Sequence, residues 1–172
     1  MTNEEILSQI RTIPDFPQKG IMFKDITTAL KDKKTYKAII DNMYKAIEHL
    51  DIDYIVAVES RGYILGAPLA YKAGAGLIIA RKPGKLPAPT IRTEYGLEYG
   101  KDALEIHQDA LKEGDKVLIV DDLLATGGTV NATIDLVKSL KAEVVSSLFL
   151  IELTNISKNT EINSPVISLI KC

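Results

Sequence analysis

Residues 117 to 129 read Val-Leu-Ile-Val-Asp-Asp-Leu-Leu-Ala-Thr-Gly-Gly-Thr, and no other stretch restricts the fold of this chain as much. Four consecutive apolar residues read as a buried strand, and two adjacent carboxylates, Asp121 and Asp122, stand at its carboxyl end. A loop of small residues follows. Beyond it Val130, Ile134, Val137 and Leu140 recur at helical spacing, so the unit is strand, loop, helix.

A loop at a helix amino terminus binds anions, because its N–H groups lack helical partners and the helix dipole adds partial positive charge. Gly127 and Gly128 let the backbone approach a ligand closely, and Thr126 and Thr129 add hydroxyl donors. The two carboxylates make the motif specific. Ionised, they only accept hydrogen bonds, so beside a phosphate site their natural partners are hydroxyl groups of the same ligand. A phosphate with a vicinal diol a short distance away, as in ribose 5-phosphate, fits both halves. The plainer alternative is an ordinary connection whose aspartates cap the helix. A Walker loop is excluded, since no Lys lies between Lys116 and Lys138, and the Gly-x-Gly-x-x-Gly dinucleotide fingerprint is missing after the first strand.

The rest of the chain alternates strands and helices. Asn3 is read as the cap of a short helix carrying Ile6, Leu7 and Ile10. Tyr36, Ile39, Ile40, Met43, Tyr44, Ile47 and Leu50 form one face of a longer helix. Strands are expected at Tyr54 to Val58, Leu77 to Ala80, Lys116 to Val120, Glu143 to Ile151 and Val166 to Ile170, with a helix over Ile64 to Lys72. Thr90 to Tyr95 and Ala103 to Ile106 are expected to pair as an antiparallel hairpin around a Gly-containing loop. The pattern predicts an α/β fold, a mostly parallel central sheet flanked by helices on both faces. Ligands bind such sheets at the carboxyl ends of the strands, where Ser60, Arg81 and Asp121 all fall.

Bulk properties agree with a compact enzyme. The 172 residues are 46% hydrophobic, enough for one domain with a real core. A net charge of -2 and a pI near 5.7 argue against a dedicated nucleic-acid binder. The acidic start, Met-Thr-Asn-Glu-Glu, is unlike a signal peptide, and no apolar run is long enough to span a bilayer. The single cysteine, Cys172, fits a reducing compartment, so a cytoplasmic location is expected. His49 and His107 with that thiol make no metal-ligand set.

Four further segments carry chemistry. Glu59-Ser60-Arg61-Gly62 is read as a second strand-end loop, with the Arg61 fork suited to a diphosphate. Arg81, Lys82 and Lys85 place three cations within five residues around Pro83 and Gly84. Thr93 to Lys101 is too polar and Gly-broken for core. Met22 and Phe23, beside Lys24, form an apolar patch outside any periodic pattern.

These segments, with the 117 to 129 string, resemble type I phosphoribosyltransferases. The match includes Ile13-Pro14-Asp15-Phe16-Pro17, Gly20 to Thr27, Glu59 to Tyr63, Arg81 to Pro87 and Tyr95 to Gly100, in family order from about Ile10 to Leu153. The Leu123-Leu124-Ala125 wording is similar to the adenine-using branch and unlike a 6-oxopurine enzyme. A regulatory protein sensing phosphoribosyl pyrophosphate should show a helix-turn-helix segment or a basic stripe, which the pI near 5.7 argues against. A non-catalytic nucleotide-binding module would need less than both Arg61 and Glu98.

The resemblance implies one domain over residues 1–172. Residues 1–35 would be the first helix and a small hood over the base, and 36–154 the core with a flexible hairpin lid at about 90–106. Residues 155–172 would supply the last strand. It implies transfer of the phosphoribosyl group from phosphoribosyl pyrophosphate to adenine, giving AMP and pyrophosphate. Magnesium would be held mainly by substrate oxygens and water, with few or no protein ligands. Asp121 and Asp122 would hold the ribose hydroxyls, and Leu123, Leu124, Ala125, Thr126, Gly127, Gly128 and Thr129 the 5-phosphate and its surroundings. Ser60, Arg61, Arg81, Lys82 and Lys85 would face the pyrophosphate, with a non-proline cis peptide at Glu59–Ser60. The Arg81 to Lys85 loop would reach the other subunit of a homodimer, although Pro83 stands where several members carry a basic residue. Met22, Phe23, Lys24 and Leu123 would surround the purine. Glu98 and Tyr99 would enter the site as the lid closes against water, with Glu98 the proton acceptor or positioning group at the purine.

Overall fold

A computed structural model of the chain describes residues 1–97, 100–158 and 161–172. Its centre is a five-stranded, all-parallel sheet. The strands are β3 (Tyr54–Val58), β4 (Gly76–Ala80), β7 (Lys116–Leu124), β8 (Glu143–Glu152) and β9 (Val166–Lys171), in the order β4-β3-β7-β8-β9. The chain grows outward from β3 to β4 on one side and from β7 through β8 to β9 on the other. The order therefore reverses between β3 and β7. Connections leave in opposite directions there, which opens a crevice at the carboxyl edge of the sheet.

Alternate residues of these strands feed two cores. Ile55, Leu118, Val120, Leu148 and Leu150 pack with α1 (Asn3–Ser8), α3 (Lys33–Ile47) and α4 (Glu59–Ala73). Val56, Val58, Val117, Ile119 and Phe149 pack on the opposite face with α5 (Gly128–Ser139) and with Leu104 and Ile106 of the hairpin. Strands buried on both faces favour apolar residues throughout, which is why β3 and residues 117–120 of β7 read as apolar runs.

Glycine sets how closely α4 docks. A Cβ on Gly66 would come within 2.6 Å of the Ala57 Cβ on β3, and one on Gly62 within 3.0 Å of the Val120 carbonyl oxygen on β7. The helix can sit across the β3–β7 junction because both positions lack side chains.

Before the sheet, β1 (Arg11–Pro14) and β2 (Met22–Asp25) form a small antiparallel pair, followed by α2 (Thr27–Lys31). Arg11 and Asp25, opposed in the ladder, form an ion pair, and Asp25 also accepts from the Thr27 N–H at 2.9 Å and hydroxyl at 2.7 Å. β5 (Thr90–Leu97) and β6 (Gly100–His107) form the antiparallel hairpin.

Several boundaries differ from the sequence reading. The cap of α1 is Thr2, not Asn3: Thr2 and Glu5 form a reciprocal capping box that satisfies two free N–H groups at once. α4 starts at Glu59, five residues earlier than expected, because packing against β3 and β7 outweighs the modest helix penalty of Gly62. β7 does not stop at Val120. It runs through both aspartates to Leu124, since β8 is long enough to pair with it as far as Glu152. The hairpin ladder likewise continues past Tyr95 to Leu97 opposite Gly100. The Glu59–Ser60 bond is trans, and the unusual backbone there is Glu59 itself, at a φ of 40°.

Candidate active site

A cleft of about 350 Å³ opens where the sheet order reverses. β3 and the start of α4 bring Val58, Glu59, Ser60 and Arg61 to one wall. β7 and the turn into α5 bring Asp121 through Gly127 with Thr129 and Val130 to the other. Lys82, Tyr95, Leu104 and Phe149 complete the lining.

The turn into α5 is built to leave N–H groups open. Gly127 takes a φ of 92°, which only glycine adopts without strain, and no side chain caps the helix. The alternative in which the aspartates serve as helix caps is thereby excluded. Their carboxylates point elsewhere: Asp121 Oδ1 accepts the Asp122 N–H at 2.8 Å, and Asp122 Oδ2 lies 3.1 Å from Arg61 Nε. Asp122 is 3% exposed. Burial drives the Asp121 carboxyl well above its usual value, and the charge of Asp122 adds to this. Burial also raises Asp122, though Arg61 works against that shift. Two carboxyls so close in a dry site resist ionising together unless a cation or donor hydroxyls offset them.

Arg61 links three parts of the site. Besides facing Asp122, its guanidinium sits 5.2 Å from the centre of the Phe23 ring, which in turn meets Phe16 edge-on at 5.1 Å. The β1–β2 pair is thus joined to the buried Asp121–Asp122 pair through one cation.

Lys82 is held at both ends. Its N–H donates to the Glu59 carboxylate, and its ammonium stands 2.9 Å from Asp102 Oδ2, which raises the ammonium's affinity for its proton. The Tyr95 phenol, pushed up mainly by burial, lies beside the Thr129 hydroxyl and the Asp102 carboxylate. A Cβ on Gly128 would be 3.3 Å from the Tyr95 ring and from the Gly96 carbonyl oxygen, so the hairpin lies directly on the turn into α5.

The structure brings together Ser60, Arg61, Lys82 and Asp121 through Gly127 with Thr129, all of them expected from sequence. Gly128 lies beneath the hairpin, outside the lining. Arg81 and Lys85 also stand off the cleft. Arg81 pairs backbone to backbone with Glu105 and donates its Nη1 to the Lys85 carbonyl at 3.1 Å. Of the hood residues, Phe23 reaches the site through Arg61. Met22 is 55% exposed, and Lys24 donates to the Thr12 hydroxyl at 3.1 Å. Glu98 and Tyr99 lie outside the described residues. Sequence reasoning assigned no role to Tyr95 or Asp102, whose meeting depends on hairpin register, nor to Phe149, which reads as core.

Among the described residues, no group of three or more His, Cys, Asp or Glu side chains is placed to hold a metal ion, and no helix is long and apolar enough to cross a membrane.

Comparison with known proteins agrees with this architecture. Residues 27–172 match the model of the phosphoribosyl transferase domain. The adenine phosphoribosyltransferase of Thermoanaerobacter pseudethanolicus is 55% identical over 172 residues, covering 99% of each chain. Its crystal structure superposes with a TM-score of 0.95 at 54% identity, covering 99% of this chain and all (100%) of that one. The Saccharomyces cerevisiae adenine phosphoribosyltransferase, solved with adenine and an imino-altritol bisphosphate, is 36% identical with a TM-score of 0.91, covering 97% of each chain.

Proposed function

The chain belongs to the phosphoribosyl transferase domain family, and from that membership we propose that it transfers the phosphoribosyl group of phosphoribosyl pyrophosphate to adenine, releasing AMP and pyrophosphate. The observation that carries the reading is the pairing, in one cleft, of the uncapped α5 turn with the buried Asp121–Asp122 pair. Identity of 55% across the full length of an adenine phosphoribosyltransferase supports adenine as the acceptor.

In this reading the 5-phosphate seats on the amides and hydroxyls of Thr126 to Thr129. The ribose hydroxyls donate to Asp121 and Asp122, satisfying carboxylates whose ionised form burial disfavours. The bond from the anomeric carbon to the diphosphate oxygen breaks as the bond to the adenine ring nitrogen forms. Positive charge that develops on the sugar is opposed by the aspartate pair, a preorganised electrostatic effect. Arg61, Ser60 and Lys82 face the departing diphosphate, and Phe23 offers a ring to the base. Glu98, outside the described residues, accepts the proton that adenine loses.

Magnesium fits this cleft as a cation held by diphosphate oxygens and water, where it would neutralise leaving-group charge. Of the carboxylates lining the cleft, Asp121 accepts the Asp122 N–H, Asp122 faces Arg61 and Glu59 accepts the Lys82 N–H, so each already has a protein partner.

The test is AMP formation and pyrophosphate release from phosphoribosyl pyrophosphate with magnesium, run separately with adenine, hypoxanthine and guanine. Turnover with adenine alone is expected. Absence of AMP, or faster turnover with either 6-oxopurine, would overturn the assignment.

A further inference from the structure

Tyr95 of β5 stands directly across from Asp102 of β6, so both side chains leave the ribbon on the same face. Leu104, two residues on, shares that face, and it lines the cleft together with Tyr95. Asp102 is the fixed member of its ion pair, with a side chain 21% exposed against 57% for Lys82. Its Oδ1 accepts the Ala103 N–H at 2.9 Å while Oδ2 faces Lys82 Nζ at 2.9 Å. Lys82 reaches into the cleft lining and Asp102 does not.

We propose that Asp102 is a positioning residue, holding the Lys82 ammonium at the cleft mouth beside the start of α4 so that it meets the diphosphate already oriented. The proposal rests on the phosphoribosyl pyrophosphate reading above. A lysine side chain loses much rotamer freedom when it engages a ligand, and one already held has less to lose. An ammonium carries three donors, so a bond to Asp102 leaves two for phosphate oxygens. The Lys82 main chain is anchored to Glu59 at the start of α4, so the cation is fixed from both sides of the cleft. Tyr95, lying between Asp102 and Thr129, ties the same carboxylate to the 5-phosphate turn. Loss of Asp102 is therefore felt where the leaving group binds and not where the base binds.

The experiment measures AMP formation by the full chain with magnesium, varying phosphoribosyl pyrophosphate and adenine in turn. If the wild-type chain makes no AMP, the functional reading fails, independently of Asp102. Given wild-type turnover, Asp102→Asn is expected to raise the KM for phosphoribosyl pyrophosphate roughly three- to tenfold, the range for a part-exposed, charge-assisted contact. The KM for adenine should stay unchanged, and Asp102→Glu should recover part of the loss. Lys82→Ala should be at least as impaired, with the double variant no worse than Lys82→Ala alone. An unchanged or lowered KM for phosphoribosyl pyrophosphate in Asp102→Asn overturns the proposal, as do additive losses in the double variant. A fall in melting temperature with both KM values worsened equally would mark a merely structural role, and equally overturn it.

Discussion

Two helices begin at the same edge of the sheet, α4 after β3 and α5 after β7, and neither has a side-chain cap. Both starts carry a residue of positive φ, Glu59 at 40° and Gly127 at 92°. They differ in what they offer. The α5 start is bare backbone, two glycines and two hydroxyls, suited to a compact phosphate that can touch amides. The α4 start is crowded with side chains, Glu59, Ser60 and Arg61, and its closeness to β7 comes from Gly62 instead. One helix start offers open N–H groups, the other a positioned cation. Glycine leaves the backbone open in the first and permits helix docking in the second.

The largest expected effect lies on the β7 side. Replacing both Asp121 and Asp122 with Asn should lower kcat by about 10²- to 10³-fold, the scale of losing a preorganised electrostatic contact. Retention of near wild-type kcat would mean the pair does not oppose transition-state charge. Next is the α4 side: Arg61→Ala should raise the KM for phosphoribosyl pyrophosphate by roughly ten- to a hundredfold, from about 1.5–3 kcal/mol for hydrogen bonds to a charged group. The same change in KM for adenine alone would reassign Arg61 to the hood.

Gly62→Ala sharpens the contrast between the two glycine roles. Its new Cβ would meet the Val120 carbonyl oxygen at 3.0 Å and Asp121 Oδ1 at 3.2 Å. About 1–3 kcal/mol of stability should be lost through overpacking, read as a lower denaturation midpoint. Gly127→Ala should cost about 1–2 kcal/mol through its positive φ, together with weaker binding of ribose 5-phosphate measured by calorimetry.

The smallest effects are on pH dependence, and they carry opposite signs in two regions. Asp121 is raised above the usual 3.8, so the folded state holds a proton that the unfolded state releases. That contribution is complete below 3.8 and is lost as pH rises through the raised value. Asp25 in the hood is held down to about 2, first by Thr27 and then by Arg11. Its contribution is complete above 3.8 and is lost as pH falls toward about 2. Melting curves of Asp121→Asn and Asp25→Asn against pH should therefore diverge from wild type at opposite ends. Parallel curves for the two variants would contradict this.

The two helix starts were not equally legible in the sequence. The α5 start could be read because its parts are contiguous: an apolar run, two carboxylates, small residues, then helical periodicity. The α4 start reads as a loop in the sequence, since Gly62 and Arg61 suggest irregular chain and only the approach of β7 makes a helix there favourable. From sequence the aspartates read as standing just past the strand instead of within it, because charge ordinarily ends a buried run and the continued pairing depends on the distant β8. Arg81, Lys82 and Lys85 looked equivalent as a cluster. Only Lys82 lines the cleft, because Glu59 and Asp102, distant in sequence, hold it there.

By itself the sequence determined the parallel α/β layering and the ligand edge, because both follow from local periodicity and from strand-end residue types. It also determined the chemistry of the 121–129 turn, since a short contiguous segment carries donors, acceptors and backbone freedom together. Only the tertiary structure decided which charges meet. The Arg61–Asp122 and Lys82–Asp102 pairs each join separate elements, and their distances depend on sheet order and hairpin register. A side chain's type limits what it can bind, whereas its partner is selected by the packing of residues far away along the chain.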